Sequence, residues 1–118
     1  MSQLLYEFVS SPHQSANSRE GLDAVLAASA VTDDIVVVFH QLGPLQLLTN
    51  QVTDQALVRS ILPTFKMLDL YDVEAVYVLD TCLQDLGLQQ SDLAIELKVL
   101  SLKDLTKLRR NAHAILRF

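Results

Sequence analysis

The chain has 118 residues, a formal net charge of −5 and a single cysteine; half of its residues are hydrophobic and 19% are charged. This length suits one domain, predicted over residues 1–118, and the lone Cys82 excludes an intrachain disulfide and a zinc site built from several cysteines of this chain. The acidic balance argues against direct binding of nucleic acid, whose phosphates require a clustered Lys and Arg face.

Two further compositional features point to the compartment. Met1–Val9 lacks the basic leader and the long apolar run of a signal peptide. No window reaches the roughly 18 apolar residues that a membrane helix needs. We therefore expect a cytoplasmic protein that contacts no membrane, which agrees with the single free thiol.

The first part of the chain alternates between strand and helix patterns. Leu4–Val9 and Asp34–His40 are short apolar runs typical of strands buried on both faces. Between them the apolar residues have helical spacing, and Asn17 and Glu20 are placed as a capping box at the start of that helix. The order strand, helix, strand follows.

The same alternation recurs after residue 50. A helix is predicted from Asp54 to Leu70, with a kink or break just before Pro63, because proline removes a helical hydrogen bond. A strand is predicted at Ala75–Leu79. The next helix is short, capped by Thr81 and ended by Gly87 in the left-handed conformation.

The last elements complete the fold prediction. Two strands are predicted at Leu93–Val99 and His113–Phe118, separated by a helix over Ser101–Arg110. Five strands, four helical segments and no hairpin dipeptide predict parallel strands joined by right-handed crossovers. The sequence therefore predicts an α/β fold, a doubly wound sandwich with a five-stranded parallel sheet and helices on both faces.

Cys82 is the residue best suited to sulfur chemistry. At the start of a short helix, its thiol has access to a helix N-terminus, which lowers the pKa of a thiol and favours the thiolate that a persulfide carrier requires. No Lys, Arg or His is near it in sequence, and the flanking Asp80 and Asp85 disfavour the anion. A half-buried packing role is the alternative, and it is favoured.

The other nucleophiles and ligands form no convincing site. His13 and His40 are predicted at carboxyl ends of strands or in the loops that follow, but two histidines without a third ligand make a weak metal site, and His113 is predicted at the opposite edge of the sheet. Ser10 or Ser11 with His13 is too local for a catalytic triad. No catalytic residue, cofactor or metal is expected.

A leucine-rich connection over Gln41–Val52 offers a possible contact with another chain. Leu45, Leu47 and Leu48 fall in a segment that otherwise has the composition of a loop. Exposed leucines in a loop indicate a buried contact. Two alternatives stay open, namely that these leucines fold back onto their own core or that they contact a neighbouring subunit.

Short segments distributed over the whole chain carry a resemblance to a known family. They are Ser-Ser-Pro-His at 10–13, Ser-Arg-Glu-Gly-Leu-Asp-Ala at 18–24, Thr-Asp-Asp at 32–34, Phe39, Gln-Leu-Leu at 46–48, Thr-Phe-Lys at 64–66, Leu-Tyr-Asp at 70–72 and Ile-Leu-Arg-Phe at 115–118. In this order and at these spacings they resemble the TusC/DsrF family of bacterial sulfur-relay subunits, DsrE/DsrF-like proteins, with the closest likeness to the TusC branch.

The resemblance implies an assembly. It is a heterohexamer with two copies each of TusB-, TusC- and TusD-like chains, or of the Dsr equivalents, which relays persulfide sulfur between carrier proteins. In the Tus setting the sulfur ends in the 2-thio group of the tRNA wobble uridine, and in the Dsr setting the pathway is sulfur oxidation. Contacts with partner subunits are expected at Leu45–Leu48 and on the exposed side of the predicted Asp54–Leu70 helix.

The resemblance also bears on the role of this chain. In such complexes the sulfur-bearing cysteine is associated chiefly with the TusD/DsrE-like subunit, at the end of the third strand. Counted back from Gly87, that position is Leu79 here, and leucine cannot carry a persulfide. The resemblance thus implies a noncatalytic structural subunit. The alternatives are a sulfurtransferase subunit that accepts persulfide on Cys82 and a small-molecule-binding module that uses the Ser10–Ser18 loop.

Overall fold

One parallel sheet organises the molecule. The computed structural model describes residues 3–10, 17–47, 68, 71, 73–93 and 95–118. Within them, five strands form a sheet in the order β4-β3-β2-β1-β5, and all four neighbouring pairs are parallel. The strands are β1 (Leu4–Phe8), β2 (Ile35–Phe39), β3 (Val76–Leu79), β4 (Lys98–Leu100) and β5 (Ala114–Arg117). The predicted α/β fold class is confirmed.

Helices cover both faces of this sheet. The described α-helices are α1 (Asn17–Ser29), α2 (Asp80–Leu86) and α3 (Leu102–Asn111), and two short 3-10 helices span Gly43–Leu47 and Gln90–Asp92. One core layer contains residues of α1 and the other contains residues of α3. We call the two sides of the sheet the α1 face and the α3 face. No helix among the described residues is long and apolar enough to span a bilayer.

Alternation along β1 assigns side chains to the two faces. Tyr6 and Phe8 belong to the core layer of α1, whereas Leu5 belongs to the layer of α3. Successive residues of a strand point to opposite sides of the sheet, so Glu7 points to the α3 face with Leu5. In β2 all five residues are buried, as expected for a strand in the middle of a sheet covered on both sides.

Glycine fixes the geometry at two helix positions. A Cβ on Gly21 of α1 would lie 2.6 Å from the Phe118 ring and 2.8 Å from the Phe8 ring, so α1 approaches the sheet closely only because this residue has no side chain. Gly87 follows α2 with φ 68° and ψ 31°, and its N–H donates to the Gln84 carbonyl at 3.1 Å. The predicted left-handed end of this helix is confirmed.

Signals at both ends of α3 agree with its limits. The Ser101 hydroxyl accepts a hydrogen bond from the Asp104 N–H at 3.1 Å, so Ser101 caps the helix. Asp104 lies in the first turn, and Arg109 and Arg110 lie in the last turn, where each charge opposes the helix dipole. The capping box predicted for α1 stays a prediction.

The fourth strand differs from its prediction. The apolar alternation of Leu93–Val99 predicted a strand there, but β4 is Lys98–Leu100, where Tyr77–Leu79 of β3 provides the pairing partners. Leu93 and Leu97 are buried in the core layer of α1 although they precede the strand. Core contact alone therefore accounts for most of the alternation that indicated a longer strand.

The start of α2 was also predicted wrongly. The helix begins at Asp80, directly after β3, and Leu79 occupies the capping position without a side-chain hydrogen bond. Thr81 lies inside the helix instead of capping it. Its N–H donates to the Asp80 carboxylate at 2.6 Å, so an acidic side chain of the first turn satisfies a donor that a cap would otherwise take.

The leucine-rich connection is partly described. Leu47 is fully buried at the end of the 3-10 helix and packs in the core layer of α1, so this leucine folds back onto its own core. Leu48 lies outside the described residues. So does the predicted Asp54–Leu70 helix with its break before Pro63, except for Leu68, which is helical and buried.

Candidate functional site

Cys82 lies in the first turn of α2, just beyond the carboxyl end of β3. Its side chain is only 8% exposed and packs in the core layer of α3 together with Leu79 and Val38. The N–H of Gln41, two residues after β2, donates a hydrogen bond to the Cys82 Sγ at 3.1 Å. Gln41 has a φ of 55°, unusual for a residue with a side chain, and this conformation accompanies the contact with the sulfur.

The surroundings of Cys82 disfavour its thiolate. Burial raises the pKa of the Cys82 thiol, and the negative charges of Asp85 and Asp80 add to that rise. The hydrogen bond from Gln41 opposes both but does not overcome them. The predicted effect of the two flanking carboxylates is thus present, and the thiol is protonated at neutral pH.

Leu79 lies at the position where the family resemblance implies a sulfur-bearing cysteine. It is the last residue of β3 and is 5% exposed in the core layer of α3. Its side chain offers a hydrocarbon surface and no reactive atom. The last residue of β3 in this chain therefore makes an apolar contact and is not a nucleophile.

A buried ionic cluster on the α3 face is the largest departure from the sequence interpretation. Glu7, in the interior of β1, has no solvent exposure. Arg109 of α3 donates two hydrogen bonds to the carboxylate, from Nε to Oε2 at 2.9 Å and from an Nη to Oε1 at 2.8 Å. Arg117 of β5 donates to Oε1 at 3.2 Å. We call Glu7, His40, Arg109 and Arg117 the Glu7 cluster.

His40 completes the Glu7 cluster from the end of β2. Its Nε2 lies 2.6 Å from the Glu7 Oε1, and the ring is buried. Burial lowers the pKa of His40, and the attraction of Glu7 is too weak to reverse this. A neutral imidazole that faces an ionised carboxylate must present its N–H, so Nε2 carries the proton and donates it.

The charge of Glu7 is set by its partners. Burial by itself raises the pKa of the Glu7 carboxyl, but the hydrogen bonds from Arg109 and His40 and the positive charge of Arg109 outweigh burial and lower this pKa from 4.5 to about 2. A carboxyl group with such a pKa holds no proton near neutral pH and cannot act as a general acid. The cluster therefore serves to join β1, β2, α3 and β5.

The histidines predicted as possible ligands are not brought together in the described structure. His13, like Ser11, lies outside the described residues, so the proposed pairing of His13 with His40 stays a prediction. His113 lies before β5 at the amino end of the sheet, where its N–H donates to the Gln3 carbonyl at 2.8 Å. The described part of the chain contains no group of three or more potential metal ligands.

The sequence contains a signal for the Glu7 cluster that is not part of any motif. Glu7 is the only charged residue in the apolar run Leu4–Val9. In a strand covered on both faces, an acid must meet a cation or hydrogen-bond donors, since an unpaired buried charge is very costly. Its two arginine partners are more than 100 residues away along the chain, so their identity could not be read from local spacing.

Comparisons with known proteins extend over the full chain. The DsrE/DsrF-like family matches residues 4–118. A "Protein TusC homolog" of Vibrio vulnificus (strain CMCP6) is 45% identical over 118 residues, and "Protein TusC" of Shigella flexneri serotype 5b is 41% identical over 119 residues; each alignment covers all of both chains. The crystal structure of the ychN protein from E. coli has a similar fold, with a TM-score of 0.78 at 16% identity and complete coverage of both chains.

Proposed function

Because this chain belongs to the DsrE/DsrF-like family, we propose that it is a noncatalytic structural subunit of a cytoplasmic sulfur-relay complex that supports 2-thiolation of the tRNA wobble uridine. The observation that carries the proposal is the buried Leu79 at the end of β3, where the family resemblance implies a sulfur-bearing cysteine in another subunit. The full-length similarity to proteins named TusC supports the assignment to the Tus branch.

The environment of Cys82 supports the noncatalytic role. A sulfur acceptor attacks as a thiolate and must be reached by the donor's persulfide. The Cys82 thiol is almost fully buried, and its pKa is raised by burial and by two carboxylates. Both conditions slow an attack by this sulfur, so the reactive thiol of the complex belongs on a partner chain.

The proposed partners are TusB-like and TusD-like subunits in a heterohexamer, together with the sulfur-carrier proteins of the relay. An obligate interface of this kind buries upwards of about 2,000 Å² and is mainly apolar. Large apolar side chains are available on the described surface, including Val31 at 86% exposure and Tyr71 at 45%. These two residues provide candidate contacts in addition to the leucine-rich connection.

The first test separates a structural role from a sulfur-accepting one. In cells whose own copy is deleted, Cys82→Ser is expected to restore 2-thiouridine in tRNA to the level of the unaltered chain, because Ser retains an acceptor for the Gln41 N–H. Liquid chromatography and mass spectrometry of digested tRNA measures that level. Loss of 2-thiouridine with the complex still intact would assign the sulfur to Cys82 and overturn the noncatalytic role.

The second test concerns assembly. Native mass spectrometry of the tagged chain, purified from its own cells without reducing agent, is expected to yield a complex with two related small chains and a Cys82 free of extra sulfur. A lone or self-assembled species contradicts the proposal. If deletion of the chain leaves tRNA thiolation unchanged and abolishes sulfur oxidation, the complex is of the Dsr type instead.

A further inference from the structure

The charge of this chain is strongly segregated along its length. Residues 98–118 contain six of the nine Lys and Arg residues and one of the fourteen Asp and Glu residues, so this segment carries a formal charge of +5. The preceding 97 residues carry −10. The modest net charge of −5 therefore conceals a basic region that comprises β4, α3 and β5.

Three of these cations form a stripe along α3. Lys103, Lys107 and Arg110 follow each other at intervals of four and three residues, which places them on one side of a helix. Leu105 and Leu108, on the other side, pack in the core layer beneath the helix. At 1.5 Å per residue the stripe extends over about 10 Å, and all three of its side chains are exposed. We call Lys103, Lys107 and Arg110 the cationic stripe.

The cationic stripe differs from the other arginines of this region in its lack of partners. Arg109 and Arg117 form ion pairs with the buried Glu7. Among the described carboxylates, none lies within ion-pair distance of Lys103, Lys107 or Arg110. On α3, Arg109 therefore neutralises the buried Glu7. The three cations on the outer side of the helix have no counter-charge within ion-pair distance in the described part of the chain.

We propose that the cationic stripe is a docking surface for an acidic patch on a partner protein. Complementary charge is what the stripe offers, since three like charges on one helix side repel each other until an anionic surface meets them. The exposed Leu102, in the first turn beside Lys103, adds an apolar contact that a protein surface can cover. This docking surface goes beyond the proposed function, whose candidate contacts are apolar and do not include α3.

An acidic protein patch fits better than an RNA backbone. Domains that bind nucleic acid through their phosphates are basic as a whole, whereas this chain has a pI near 4.9. The Debye length at physiological ionic strength is about 8 Å. The charges of a compact acidic patch that contacts the stripe lie within this distance and are therefore only partly screened.

The experiment uses the full-length chain and two labelled probes, a decaglutamate peptide and a decauridylate RNA. Fluorescence anisotropy measures the binding of each probe at about 20 mM and about 150 mM salt. The stripe variant is Lys103→Gln, Lys107→Gln and Arg110→Gln combined. The control variant combines three exposed substitutions elsewhere and reaches the same formal charge of −8; they are Ala27→Glu, Gln84→Glu and Ser91→Glu.

The expected result is binding of decaglutamate at low salt that weakens at least tenfold at high salt. The stripe variant should bind at least tenfold more weakly than the control variant, and decauridylate should bind more weakly than decaglutamate. Circular dichroism melting of both variants verifies the fold. Equal weakening in the two variants, absence of decaglutamate binding or a preference for the RNA would each overturn the proposal, as would a salt-sensitive homo-oligomer that only the stripe variant dissociates.

Discussion

Both faces of the sheet bury apolar side chains, but the α3 face also buries the Glu7 cluster, and two neighbouring residues of β1 illustrate the difference. Phe8 and Glu7 are both fully buried. Phe8 packs on the α1 face, where its ring lies 5.1 Å from that of Phe39 and 6.0 Å from that of Phe118. Glu7 lies on the α3 face among two arginines and a histidine.

Phe8 and Glu7 are equally buried, but they stabilise the fold through different interactions. The α1 face is stabilised by removing apolar surface from water, a contribution that pH does not change. The α3 face also buries apolar surface, and the Glu7 cluster adds to it a contribution that lasts only while Glu7 is ionised and its donors stay in place. One face therefore sets a constant background of stability, and the other makes stability depend on protonation.

The largest effect is expected from Phe8→Ala, which tests the apolar face. Removing a fully buried aromatic ring leaves a cavity and lowers the free energy of unfolding by about 3–5 kcal/mol. Urea unfolding followed by circular dichroism measures the loss, which should be the same at pH 7 and pH 5. Phe8→Leu is the control and should lose less. A loss below about 1 kcal/mol for Phe8→Ala would contradict the assigned packing.

A smaller but pH-dependent effect is expected from Glu7→Gln, which tests the charged face. Because the folded state lowers the pKa of Glu7 from 4.5 to about 2, ionised Glu7 stabilises the fold above pH 4.5. This contribution, about 3 kcal/mol, disappears as the pH falls from 4.5 toward 2. Glu7→Gln should therefore be less stable than the unaltered chain at pH 7 and approach its stability near pH 2.

The same urea titrations provide the control for Glu7. Glu74 is exposed in the connection before β3, so Glu74→Gln should change the stability little at either pH. If Glu7→Gln and Glu74→Gln behave alike, the contrast between the two faces does not hold. If Glu7→Gln is destabilised equally at all pH values, the lost contribution is packing and not charge.

The smallest effect is expected from Ser101→Ala, which weakens the helix that covers the charged face. Loss of the hydroxyl leaves the Asp104 N–H without its acceptor and lowers the free energy of unfolding by about 1 kcal/mol. Thr106→Ala, in the middle of the same helix and exposed, is the control with little expected change. Thermal unfolding compares the two, and equal midpoints would remove Ser101 as the cap of α3.

Sequence reasoning predicted the apolar framework better than the ionic one. The run Asp34–His40 was predicted as a buried strand because consecutive β-branched residues favour strands, and β2 spans Ile35–Phe39. Gly87 was predicted to end its helix because only glycine adopts the left-handed conformation freely. Such local signals need no knowledge of distant residues. The parallel sheet follows from their order along the chain.

The failures have a common physical cause, since the missed features depend on contacts remote in sequence. The limits of β4 are set by where Tyr77–Leu79 provides hydrogen-bond partners, and the apolar pattern of residues 93–99 does not contain that information. Glu7 was visible as a charge in an apolar run, but Arg109 and Arg117 become its partners only through the fold. The sequence placed His40 at the carboxyl end of its strand and did not indicate its contact with Glu7.

The pairing of β1 with β5 has a consequence for folding during synthesis. Glu7 and Arg117 are 110 residues apart, so β1 leaves the ribosome long before the strand and the arginines that complete it. Until then the Glu7 carboxylate stays hydrated, and β1 remains an open edge. The sheet is therefore completed only after synthesis has reached residue 117. A chain that stops within α3 exposes the unpaired edge of β1 to proteases and chaperones.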